Sequence, residues 1–202
     1  MRPKLKLNHI STLHDARYCS AVGVELLGFS LSPSEEENMS PASIAEIMEW
    51  LSGPESVGEF LYESPDEIEE LAGEASVQFV SLPMDYPSPT ATEISLPLVF
   101  RSSELNEEVL QRISELAEQF PNAKFEFPAS PDNEHLWSSL SSSILERSIL
   151  LYAAPDPIYD VLRKEGIKPF AFSLGDFVEE PDGMLDYESC DNFLEAYQAF
   201  NA

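Results

Sequence analysis

Positive charge is scarce in this chain: 11 Lys and Arg stand against 37 Asp and Glu in 202 residues, a formal charge of −26. A surface of that sign repels phosphate backbones and anionic headgroups at long range, so neither nucleic acid nor membrane is expected as a partner. Carboxylates in this number otherwise solvate helix faces and keep a protein soluble. Cysteine is nearly absent, and Cys19 and Cys190 are too few for a disulfide framework and lack metal-ligand spacing, which leaves buried thiols. His9, His14 and His135 are scattered rather than metal-spaced, and the runs Glu35-Glu36-Glu37 and Glu179-Glu180 lack the oxygen-ligand pattern of a calcium loop. No metal and no cofactor are expected. There is no glycine-rich dinucleotide turn and no internal repeat. No apolar run approaches the ~20 residues of a membrane span, and the opening MRPKLKLNHI is not a signal peptide. The expected location is the cytoplasm.

Apolar residues are plentiful, at 43%, enough for a globular core, and a single domain over residues 1–202 is expected. Strand-like and helix-like segments alternate along most of the chain, the pattern of a parallel sheet with crossover helices. Leu5 to His9 reads as a strand, Ser11 or Thr12 as the cap of a helix that Gly23 stops, and Glu25 to Leu31 as a strand buried on both faces. Further strands are expected at Val57–Tyr62, Val77–Leu82, Ile94–Phe100, Ala123–Phe127, Ile149–Ala153 and Pro169–Leu174. Helices are expected at Pro41–Leu51, Ser64–Glu74, Glu104–Phe120, Asn133–Arg147, Pro157–Glu165 and Asp191–Phe200. The proline-rich stretch Pro83 to Thr92 cannot form a helix of normal length. Eight strands and seven helices predict a compact (β/α)8 TIM barrel lacking the helix between strands four and five, with an open doubly wound sheet as the alternative. Losing that helix would uncover barrel wall, for which a second subunit in a homodimer is the expected cover.

Particular segments carry a family resemblance. Lys6-Leu7-Asn8-His9 stands where Lys-Ile-Cys-Gly is found, and Ser32-Pro33 to Ser40-Pro41 fits the frame of Ala-Pro-Ser-Ser-Pro-Arg-Tyr-Val-Ser-Pro. Val57-Gly58-Glu59-Phe60 matches Val-Gly-Val-Phe, Val77-Gln78-Phe79-Val80 matches Val-Gln-Leu-His, and Phe172 to Glu179 follows Val-Asp-Val-Ser-Ser-Gly-Val-Glu. In these segments, and in the order of its elements, the chain resembles phosphoribosylanthranilate isomerase, a small barrel of tryptophan biosynthesis that performs an Amadori rearrangement. The resemblance implies a general base at the end of strand one and a general acid at the end of strand eight, places that fall on Asn8 and Ser173. Neither side chain serves as a titrating acid or base near neutral pH. The implied phosphate turns fall on Ala153-Ala154-Pro155 and Gly175-Asp176-Phe177, and that after strand six on Ser130-Pro131-Asp132-Asn133. Glu37 takes the place of an arginine.

The expectation that follows is a catalytically degenerate isomerase-like barrel, retained as a small-molecule-binding or protein-interaction module. The alternatives are an active phosphoribosylanthranilate isomerase, or an isomerase-like enzyme of altered specificity for a substrate without phosphate. Barrel sites lie at the C-terminal ends of strands, which makes Asn8, His9, Ser30, Gln78, Arg101, Glu126, Tyr152, Ser173 and Asp176 the candidate ligand-binding residues. Arg101 with Glu126 or Asp176 suits a small polar ligand carrying a carboxylate, and His9, Asp176 or Glu126 suits proton transfer.

Overall fold

Short apolar segments that alternate with capped helices have one economical arrangement, a closed ring of parallel strands wrapped by the helices, and the chain adopts it. The computed structural model describes residues 2–130, 132–137, 140, 148–152, 169–174 and 185–200. Eight strands are β1 (Lys4–Leu7), β2 (Leu26–Ser30), β3 (Glu55–Glu59), β4 (Phe79–Pro83), β5 (Leu98–Arg101), β6 (Lys124–Pro128), β7 (Ile149–Tyr152) and β8 (Ala171–Leu174). They pair in sequence order into a closed barrel, and Lys6 of β1 lies opposite both Leu26 of β2 and Ser173 of β8. The described helices are α1 (Leu13–Val22), α2 (Pro41–Glu49), α3 (Pro65–Ala75), α4 (Ser88–Ala91), α5 (Glu107–Gln119), α6 (Glu134–Trp137) and α7 (Tyr187–Phe200). The closed ring decides against the open sheet. The helix expected at Pro157–Glu165 and most of that expected at Asn133–Arg147 lie outside the described residues.

Local signals place the helix starts. Thr12 caps α1 by accepting from Asp15 N at 3.1 Å, and Gly23, at φ 89°, ends it in the left-handed conformation that glycine adopts without a Cβ penalty. Ser64 and Glu67 form a reciprocal capping box on α3, whose first turn also holds Pro65. The final helix docks through side chains: Tyr187 donates to Asp15 at 2.7 Å, Tyr18 donates to Asp191 at 2.5 Å, and Tyr197 donates to the Pro3 carbonyl. Phe193 and Tyr197 are buried, as core packing of that helix requires.

The period-two alternation of the strands sorts the interior into two regions. Outward residues such as Leu5, Leu27, Phe100, Phe125 and Phe172 form the main core with the helices. Inside the ring, Leu26, Val57, Val99, Leu150 and Ala171, with Phe79 and Phe170, make a separate apolar floor in the N-terminal half of the barrel. Lys4 and Lys124 lie over the Phe170 ring, 5.5 and 4.5 Å from its centre, closing that end.

The crossover from β4 to β5 is a single helical turn rather than a bare loop. Met84, Tyr86, Ala91 and Ile94 within it are buried. The segment therefore packs on the barrel wall in place of a longer helix. Arg112 of α5 pins it by donating to the Met84 and Tyr86 carbonyls and to Ser88 Oγ. Both cysteines are buried and free, and burial pushes the Cys190 thiol up to about 12.

The capping box gives a direct test. Ser64→Ala removes the bond the hydroxyl accepts from Glu67 N and the one it donates to Glu67 Oε2, leaving the Ser64 N–H to Glu67 bond, at a cost of about 1 kcal/mol. Thermal unfolding should shift down by about 2–4 °C with secondary structure unchanged at low temperature.

Candidate active site

Above the apolar floor the inward positions turn polar, and their side chains converge. Lys6, in the middle of β1, is fully buried with its ammonium between two carboxylates. Its Nζ donates to Glu126 Oε2 at 2.7 Å and to Glu59 Oε1 at 3.2 Å. The other oxygen of Glu126 accepts from Asn8 Nδ2 at 3.0 Å and from the Ser173 hydroxyl. Asn8 Nδ2 also reaches Ser173 Oγ, at 3.1 Å. Glu126 is thereby held by side chains from β1 and β8 and from the residue that follows β1. Arg101, at the end of β5, pairs with Glu59 Oε2 at 3.4 Å and donates to the Phe60 carbonyl at 3.0 Å.

Gly28 on β2 is what lets these groups meet. A Cβ there would lie 2.6 Å from Glu59 Oε1 and 3.0 Å from Asn8 Oδ1, inside contact distance of both. His9 has φ 57°, a left-handed conformation that costs a non-glycine residue about 1–2 kcal/mol. The resemblance has glycine at that position. The cluster opens into a cavity of about 1140 Å³ at the C-terminal end of the strands, lined by Asn8, His9, Glu59, Arg101, Glu126 and Tyr152 among others.

Burial works against the charge on Lys6, but Glu126 and Glu59 outweigh it and hold the ammonium above its ordinary value of 10.5. Burial likewise opposes ionisation of Glu59, and the charges of Lys6, Arg101 and His9 overcome it, so this carboxyl sits below its ordinary 4.5. Both groups are charged in the folded protein near neutral pH.

The candidates from sequence divide accordingly. Asn8, Glu126 and Ser173 form one hydrogen-bonded group, and His9, Arg101 and Tyr152 line the same cavity. Ser30, at the end of β2, donates to Glu35. Gln78 is at the wrong end: it precedes β4, and its Oε1 accepts from Ser56 N and Ser56 Oγ at 2.6 and 2.8 Å. The strand starts at Phe79, and in the range expected from sequence, Val77–Leu82, Gln78 is already the second residue, so it belongs to the N-terminal side on either boundary. Asp176 lies outside the described residues, as do the turns at residues 153–155 and 175–177. Lys6 and Glu59 were missed. Their signal was an ionisable residue flanked by apolar neighbours inside a strand otherwise buried on both faces, Leu5-Lys6-Leu7 and Gly58-Glu59-Phe60.

No family model matches the chain. A curated N-(5'-phosphoribosyl)anthranilate isomerase of Chlorobium chlorochromatii (strain CaD3) is 26% identical over 215 residues, covering 98% of each protein. Phosphoribosylanthranilate isomerase from Thermus thermophilus superposes with a TM-score of 0.76 at 23% identity, over 97% of this chain and 98% of that one. Another isomerase structure, bound to reduced 1-(o-carboxyphenylamino)-1-deoxyribulose 5-phosphate, gives a TM-score of 0.79 at 20% identity, over 98% and 99%. These neighbours point to the phosphoribosylanthranilate isomerase family.

That finding overturns the expectation of a catalytically degenerate barrel: the relatives are isomerases over essentially their full length, and nothing in the comparison shows lost catalysis. The physical reason for the error is also visible. The expectation rested on Asn8 and Ser173 being unable to titrate, whereas both are hydrogen-bonded to Glu126. The isomerase-like barrel thus has a carboxylate between them, supplied by β6.

Removing the central cation tests the cluster. Lys6→Met leaves Glu126 buried without a cation and Glu59 with Arg101 alone, and should cost about 3–5 kcal/mol in urea unfolding at neutral pH. The pH dependence follows from the two shifts. Stabilisation from the lowered Glu59 carboxyl is present above pH 4.5 and lost as pH falls through its lower folded value. Stabilisation from the raised Lys6 ammonium is present below pH 10.5 and lost as pH rises through its higher folded value. Urea midpoints of the native chain should therefore drop at both extremes, and the alkaline drop should shrink in Lys6→Met.

Proposed function

We propose that the protein is an aldose–ketose isomerase of the phosphoribosylanthranilate type, converting an N-arylglycosylamine into the corresponding 1-amino-1-deoxyketose. The observation that carries this reading is the buried carboxylate of Glu126, held by three donors at the mouth of a barrel whose curated relative is such an isomerase.

The reaction needs a proton on the ring oxygen as the ring opens to an iminium. It then needs removal of the proton at C2 to give an enolamine, delivery of a proton to C1, and loss of the 2-hydroxyl proton as the ketone forms. No electrons enter or leave. Glu126 is the side chain suited to the C2–C1 transfer, because its carboxylate lines the cavity and its orientation is fixed. Lys6 is fully buried behind it and acts through Glu126 rather than on substrate. Asn8 and Ser173 then serve as positioning residues, which makes the amide and the hydroxyl at these places compatible with catalysis. His9, which lines the same cavity, is assigned the protonation of the ring oxygen. Its costly backbone conformation supports a role for the side chain.

The test is direct assay with N-(5-phosphoribosyl)anthranilate, followed by the fluorescence of the substrate as it is consumed, beside complementation of a strain lacking this activity. Turnover and rescue are expected. Glu126→Gln should lower kcat by about 10²–10⁴-fold with substrate binding retained. Absence of turnover by the native chain, or full activity of Glu126→Gln, would defeat the reading.

A further inference from the structure

Among the described residues the cavity is lined with acids, including Glu35, Asp85, Glu104 and Glu108, and three of the described lining residues carry basic groups: His9, Arg101 and Arg112. Arg112 is committed to the protein. Its Nε and Nη2 hold the β4–α5 segment through the Met84 and Tyr86 carbonyls and Ser88, and its Nη1 faces Glu115 at 3.4 Å. Arg101 is different. Glu59 and the Phe60 carbonyl take one contact each from its two terminal nitrogens. A guanidinium has five N–H donors, and the rest of Arg101's have no partner among the described residues. The group is thus oriented from behind by a buried carboxylate and a main-chain oxygen, with donors left over for the cavity.

Position adds a second constraint. In a ring of eight strands in sequence order, β7 and β8 lie across the mouth from β3 and β4. Barrel enzymes commonly place a phosphate group on the loops after strands seven and eight. Arg101 reaches from β5 to the residue that follows β3, so it occupies the opposite rim. Between the two rims stands Glu126. Leu61, Tyr62, Met84 and Val109 on the arginine's side supply apolar wall for an aromatic ring.

We propose that Arg101 is the carboxylate-recognition residue of the site, binding the ortho-carboxylate of the substrate's arylamine half and so selecting anthranilate-derived glycosylamines over those of aniline. This rests on the isomerase reading above. The acids around the cavity sharpen the assignment, because they leave the carboxylate few other places to settle.

The experiment compares N-(5-phosphoribosyl)anthranilate with its aniline counterpart, together with equilibrium titration of anthranilate alone. The native protein should prefer the carboxylated substrate in kcat/KM by about 10- to 100-fold, the range of a charge-assisted hydrogen bond. Arg101→Gln should bring the two substrates near parity, chiefly through a higher KM for the carboxylated one, and should abolish anthranilate binding. Arg101→Lys, which keeps a cation beside Glu59, should retain part of the preference and decides the matter if Arg101→Gln does not fold. An equal loss on both substrates would overturn the proposal, as would anthranilate binding that survives both variants. If the native protein turns over neither substrate, the isomerase reading fails, while Arg101-dependent binding of anthranilate would still establish the anion site.

Discussion

One buried ammonium organises the barrel mouth. Lys6 sits in the interior with no solvent contact, and an isolated charge there would be prohibitively costly. It is tolerated because Glu59 and Glu126 both bond it, and Arg101 balances the second carboxylate. Two cations and two anions thus alternate in one chain, Arg101–Glu59–Lys6–Glu126, across β5, β3, β1 and β6. Apolar residues of similar volume could match the stability of such a cluster. Its use is therefore better sought in fixing the direction of Glu126 than in holding the fold together. In a chain with so few basic residues, placing Lys6 and Arg101 here rather than on the surface, where they would relieve the −26 charge, has the same meaning.

The framework was legible because its signals are local. Thr12 and Ser64 mark helix starts by their hydroxyls and Gly23 marks an end, features that depend on a few neighbouring residues. The proline-rich crossover was recognised as abnormal, but its single turn and its buried Tyr86 depend on Arg112, a residue 26 positions away.

The site was harder to read because it is made of register and of contacts between distant strands. The direction of a strand decides which of its ends reaches the mouth, so Gln78, which stands ahead of β4 and bonds Ser56, is a brace at the opposite end. Asn8, Glu126 and Ser173 are 118 and 47 residues apart along the chain. Read singly, Asn8 and Ser173 look like losses. Their shared attachment to one carboxylate is a property of the closed ring alone, and under the proposed reading it makes the same two residues supports of Glu126. The omission of Lys6 and Glu59 was of another kind, since an ionisable residue in a doubly buried strand is already anomalous in the sequence.

Under the proposed role of Glu126 in proton transfer, the three-way arrangement about Lys6 also bears on how a carboxylate so tightly held takes part in the reaction. In a simple buried ion pair, protonating the acid would leave the cation uncompensated, and the penalty would oppose every turnover. Here Lys6 keeps Glu59 when Glu126 accepts a proton, so its charge remains partnered. The cluster as a whole then carries one excess positive charge. Under the assignment of Arg101 to substrate recognition, that excess arises only when an anionic carboxylate already lies against the guanidinium. Substrate binding and proton uptake would thus neutralise one another, and each would be less favourable alone than together.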